Sequence, residues 1–136
     1  MGAYILKADI ENVFGADNVA VWSNLSGGDT ADEARITLAI SNAEEDVENR
    51  FRNGRYLLPF TPVALTVKDW CARIAGIWLF DNRPGYGKSE EELDGLELLR
   101  TQLEISIDAY TSGQRKLNCT LASELGGNSD APNVVL

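Results

Sequence analysis

Histidine is absent from these 136 residues, and cysteine occurs only twice, at Cys71 and Cys119. Without imidazole the usual Ser–His and Cys–His nucleophile pairs cannot be assembled. The Glu-x-x-His pairs of helix-bundle di-iron sites are excluded for the same reason. Two cysteines so far apart match no zinc-ligand spacing, and they are expected as reduced thiols. No apolar run approaches the roughly 18 residues that a membrane helix needs. The N-terminus has no basic segment ahead of an apolar one, so no signal peptide is expected, and Leu6 occupies the position where a myristoylation signal needs Ser or Thr. Basic residues are also scarce, 12 against 21 acidic ones, for a net charge of −9. A chain this acidic does not seek phosphates, which argues against sequence-specific DNA binding. No metal, no cofactor and no enzymatic activity are expected.

What is present is the material of one packed domain. Apolar residues make up 44% of the chain and include three Trp, four Phe and four Tyr. This is enough for one hydrophobic core at this length. Charge is segregated along the sequence. Residues 1–49 hold 2 basic and 10 acidic groups, residues 50–88 hold 7 and 2, and residues 89–136 hold 3 and 9. A basic middle therefore lies between two acidic ends.

The hydrophobic spacing is helical almost throughout. Leu6, Ile10, Val13 and Phe14 share one face of a short first helix, which Gly15 terminates. Val19 to Trp22 forms a second short apolar piece, and Ser23 to Gly28 reads as a loop. Thr30 and Glu33 have the spacing of a capping box. They open a second helix whose stripe is Ile36, Ile40, Ala43, Val47 and Phe51, and which stops at Asn53-Gly54. Glu44, Glu45 and Glu48 read as a solvated acidic face. Pro59 and Pro62 each bias the preceding residue away from helix, so 55–62 is expected as an extended arm. Thr61 is then a candidate cap, with Pro62 at the first helical position. A third helix runs to about Phe80, with Val67, Trp70, Ile74, Ile77 and Trp78 inward. Its small residues Cys71, Ala75 and Gly76 suit a closely packed central position. After a loop at 81–88, Ser89 and Glu92 cap a fourth helix carrying Leu93, Leu96, Leu99, Leu103, Ile107 and Tyr110, closed by Gly113. Alternation at Leu117, Cys119, Leu121 and Leu125 hints at a short strand.

The expected fold is all-α: a small helical bundle at 1–117, an extended arm between helices two and three, and an extended C-terminal tail at 118–136.

Few motifs carry chemistry. The run from Asn82 to Ser89 ends in the Gly-Lys-Ser of a phosphate-binding loop. However, a helix precedes it where a strand is required, and Pro84 removes an amide from the cradle. Arg50, Arg52 and Arg55 cluster around Phe51 and Tyr56. Interleaved Arg and aromatic residues suit either nucleic acid or a protein interface, and the net charge favours protein. The candidate interface residues are Arg50, Arg52, Arg55, Tyr56, Leu57 and Leu58. The apolar positions of the end segment, Leu117, Leu121, Leu125, Val134, Val135 and Leu136, join them.

From Tyr4 to about Leu117 the chain resembles the small helical head–tail adaptor proteins of Mu-like and related long-tailed phages. The resemblance rests on several segments: Asp9-Ile10 with Phe14-Gly15; the capped helix at Thr30; and Ala43, Val47 and Phe51 followed by Gly54, Arg55-Tyr56-Leu57-Leu58-Pro59 and Pro62. The Ala75-containing helix and the last helix ending at Gly113 complete it. The loop at Ser26–Thr30 is shorter and less acidic than usual for these proteins, and Leu6-Lys7 replaces their capping residue. The resemblance implies a homo-oligomeric ring, a dodecamer matching the portal. This ring would sit in the virion neck between portal protein and stopper or tail-completion protein, after assembly in the host cytoplasm, with phage DNA passing through without sequence-specific binding. Two other readings are another neck component, such as a stopper or tail-completion protein, and a cellular helical interaction module.

Overall fold

Five helices follow one another in the computed structural model, which describes residues 4–26, 28–52, 54–83, 90–119 and 121. Gly15, at φ +93°, joins two eight-residue helices, α1 (Lys7–Phe14) and α2 (Ala16–Ser23). A positive φ is open to glycine without steric cost, so the expected stop after Phe14 becomes a sharp corner. The short apolar piece at Val19–Trp22 is part of a helix in its own right.

The expected stripe of α3 (Glu33–Phe51) is buried at every position, from Ile36 through Ile40, Ala43 and Val47 to Phe51. Its cap is Asp32, not Thr30. The Asp32 carboxylate accepts the Arg35 amide at 3.2 Å, whereas Thr30 offers its carbonyl to Asn24. Leu6 has no side-chain acceptor to cap α1. Instead the Asp9 carboxylate takes the Leu6 amide at 2.8 Å. Helix α4 (Leu65–Asp81) begins later than the prolines suggest. Ala64 is its N-cap, and the Thr61 hydroxyl donates to the Pro59 carbonyl. As expected of a central helix, α4 is buried on most sides, with Val67, Trp70, Cys71, Ala75 and Gly76 enclosed together with Leu79 and Phe80. Helix α5 (Glu90–Thr111) buries Leu103 and Ile107 and half-buries Leu96, Leu99 and Tyr110.

Contacts set the helix directions. The Arg35 guanidinium, at the start of α3, donates to the Asn82 carbonyl just past the end of α4, while Phe51, at the end of α3, stacks on Trp70. Trp70 donates to the Ser106 hydroxyl and meets Tyr110 edge-on, and Asp81 pairs with Arg100. Both α3 and α5 therefore run antiparallel to α4, so their C-termini lie at the same end of the bundle.

The segment 55–62 contains no helix, as expected, and it lies against the core. Tyr56 and Phe60 are only 3% and 2% exposed. They close an aromatic cluster in which the Phe51 ring lies 5.8 Å from Tyr56, 5.4 Å from Phe60 and 5.7 Å from Trp70. Proline's bias away from helix and aromatic burial act together here, because a non-helical segment can lay its rings against the core. The strand hinted at beyond Leu117 reduces, among the described residues, to one antiparallel bridge between Tyr56 and Leu121. The capping box at Ser89, the Gly-Lys-Ser run and the tail from 122 onward lie outside the described residues.

Candidate functional site

Helix ends gather charge in this fold. Past Phe51 the chain turns through Arg52 to Arg55 and Tyr56. Past Thr111 it turns through Gly113, at φ +90°, to Arg115, Lys116 and Leu117. The two turns lie side by side. The Leu117 amide donates to the Tyr56 hydroxyl at 2.6 Å, and the Arg55 guanidinium lies over Gly113, where an added Cβ would meet it at 2.6 Å. Arg52, Arg55, Arg115 and Lys116 are all exposed. None of the four makes an ion pair with a described residue; Arg52 only donates to the Asn49 side chain. They stand where α3 and α5 present their C-terminal dipole ends, which favour cations. Leu65, 82% exposed, belongs to the same end of the bundle.

This arrangement redistributes the sequence-derived interface residues. Arg52 and Arg55 remain at the surface, joined now by Arg115 and Lys116. Tyr56 and Leu117 are core residues, Leu57, Leu58 and Leu121 are half-buried, and Leu125, Val134, Val135 and Leu136 lie outside the described residues. Arg50 is engaged within the chain. It donates to both Glu104 oxygens, at 2.7 and 2.8 Å, and reaches Asp46 at 3.4 Å. Arg115 and Lys116 were legible as cations, but their closeness to Arg55 depends on a contact that joins positions nearly sixty residues apart.

The Arg50 guanidinium holds the Glu104 carboxyl below the usual carboxylate range. A carboxylate so depressed adds stability only while ionised. Its contribution is present above about pH 4.3 and is lost as pH falls through the lower folded value. With Glu104 55% exposed, the pair is worth under about 1 kcal/mol. Glu104→Gln is accordingly expected to lower the urea midpoint slightly at neutral pH, with the difference from wild type closing below about pH 4. A gap that persists unchanged at pH 3 would contradict this account.

The other polar clusters are structural. Glu44, expected in solvent, is 9% exposed and accepts the amides of Tyr4 and Ile5 at 2.8 and 3.0 Å. The Tyr4 hydroxyl donates to Glu48 and accepts the Phe60 amide at 3.0 Å. Burial, reinforced by Glu48, pushes the Tyr4 phenol well above its ordinary value. Both cysteines are free thiols. Burial raises Cys71, with nearby Glu44 adding to it, and it also raises Cys119, whose sulfur lies 3.0 Å from the Pro62 carbonyl. A groove of about 160 Å3 between α3, α4 and α5 has an apolar floor of Ile74, Ile77, Leu103 and Ile107, rimmed by the Arg50–Glu104 pair and Arg100. Among the described residues no three metal-binding side chains gather, and no helix is long and apolar enough to cross a membrane.

The small helical bundle thus exposes a basic cluster at one end that makes no ion pair with a described residue. Residues 4–116 match the family described as Bacteriophage Mu, Gp36, and the chain belongs to that family of Mu-like phage proteins. No curated protein matches the chain.

Proposed function

We propose that the chain is the head–tail adaptor of a long-tailed phage, a ring component in the virion neck between the portal protein and the stopper or tail-completion protein. Membership of a Mu-like phage family over residues 4–116 carries this reading. The all-helical architecture supports an adaptor over a stopper, since stoppers are commonly built on β-rich cores. Charge supports it too. A ring subunit needs two different, complementary patches, and this chain keeps a basic cluster apart from acidic helix faces. Acidic surface turned to the channel would repel passing DNA and leave it unbound. In this reading the ring is a dodecamer that matches the portal, and no cofactor takes part.

Deleting the gene from its source genome and imaging the particles by electron microscopy tests the assignment. The expected outcome is DNA-filled heads beside detached, complete tails. Intact infectious particles would refute it and favour a cellular interaction module.

A further inference from the structure

The outer face of α5 meets no partner among the described residues. Leu98 and Ile105, seven residues apart, are 59% and 65% exposed, on the side of the helix opposite the buried Leu103 and Ile107. With Gln102 and Ala109 they form a stripe at spacings of four, three and four, the pattern by which one helix seats against another surface. The helix that carries the stripe is acidic. Its sequence holds seven acidic residues and one cation, Arg100. Of the described side chains, Glu104 is held by Arg50 and Glu97 by Arg100, while Asp108 is exposed without an ion pair among the described residues. The end of the bundle that holds Arg52, Arg55, Arg115 and Lys116 has the opposite character, and it too exposes an apolar residue, Leu65. One molecule thus carries an acidic helix with exposed apolar residues and, elsewhere, a basic end with one.

From this complementarity we infer that the α5 stripe of one copy docks on the basic end of a second copy, a head-to-tail contact centred on Leu98, Ile105 and Leu65. The inference rests on the ring reading above and names the surfaces that would build the ring. Two unlike patches on each subunit give a heterologous contact, which closes into a ring when the rotation between copies allows it. Arg50 lies outside this contact, because Glu104 and Asp46 already hold its charge. Reversing that residue would disturb the fold as well as any assembly, so the informative cations are Arg55 and Arg115.

Two variants, each with one face disabled, test the contact. Leu98→Asp with Ile105→Asp spoils the stripe and keeps the basic end. Arg55→Glu with Arg115→Glu spoils the basic end and keeps the stripe. All four positions are exposed, so far-UV circular dichroism should match wild type for both variants. Native mass spectrometry is expected to show wild-type oligomers that dissociate with rising salt, each variant alone as a monomer, and a mixture of the two as one-to-one heterodimers and nothing larger. Either variant assembling like wild type, or a mixture that stays monomeric, would overturn the proposed surfaces. A wild-type chain that remains monomeric at every salt concentration would overturn the self-contact altogether. The adaptor reading stands or falls separately, on the particles made without the gene.

Discussion

Glu44→Ala is expected to lower the free energy of unfolding by about 3 kcal/mol, whereas Glu45→Ala, one residue on, should stay within about 0.5 kcal/mol of wild type. The Glu44 carboxylate accepts two amides, those of Tyr4 and Ile5, and these residues are 5% and 1% exposed. Removing the carboxylate leaves both amides buried without that acceptor, at about 1–3 kcal/mol each, less whatever entering water recovers. The damage should spread from there, because Tyr4 also ties Glu48 to the Phe60 amide and so couples the N-terminal segment to α3 and the 55–62 segment. Glu45 is exposed. Urea unfolding of the two variants gives the comparison, and hydrogen exchange at Tyr4 and Ile5 localises it. Equal stability of the two variants would mean that the carboxylate holds nothing.

Gly76→Val should cost about 3 kcal/mol, at the upper end of overpacking effects. A Cβ at Gly76 would lie 2.1 Å from the Phe14 ring, far inside van der Waals contact. Valine's better helix propensity returns under about 1 kcal/mol, so the clash dominates. Phe14 must leave, and it holds Trp22 edge-on at 5.5 Å, which in turn meets Phe80 at 5.2 Å. The corner made by α1 and α2 should therefore loosen from α4, seen as a change in tryptophan fluorescence at unchanged helicity. Shortening Phe14 as well should relieve the strain, making the double variant Phe14→Ala with Gly76→Val less unstable than the sum of the singles. Strict additivity would show that the two residues do not press on each other.

Both effects occur at residues whose type was plain in the sequence and whose surroundings were not. Glu44 falls four residues after Ile40 and seven before Phe51, on the buried stripe itself. That spacing was the available signal, but a carboxylate there looks like one more member of an acidic run until Tyr4 and Ile5 arrive from forty residues away. Gly76 was legible as a small residue on a crowded helix, although not as the seat of Phe14. Tyr56 and Phe60 lie on the expected non-helical segment, but their burial was not legible in the sequence. Local proline bias marks their segment as non-helical, and only the ring of Phe51 shows where it packs.

The amino-acid sequence by itself determined the all-α class, the buried stripe of α3, the enclosed position of α4 and the turn at Gly113. Helical periodicity and glycine chemistry are local, acting over one or two turns of chain. Tertiary structure alone decided which charges are available. It locked Arg50 to Glu104, buried Glu44 under two amides, and brought Arg115 and Lys116 beside Arg52 and Arg55. Ion pairing and desolvation depend on separation in space, and the antiparallel course of α4 between α3 and α5 sets that separation.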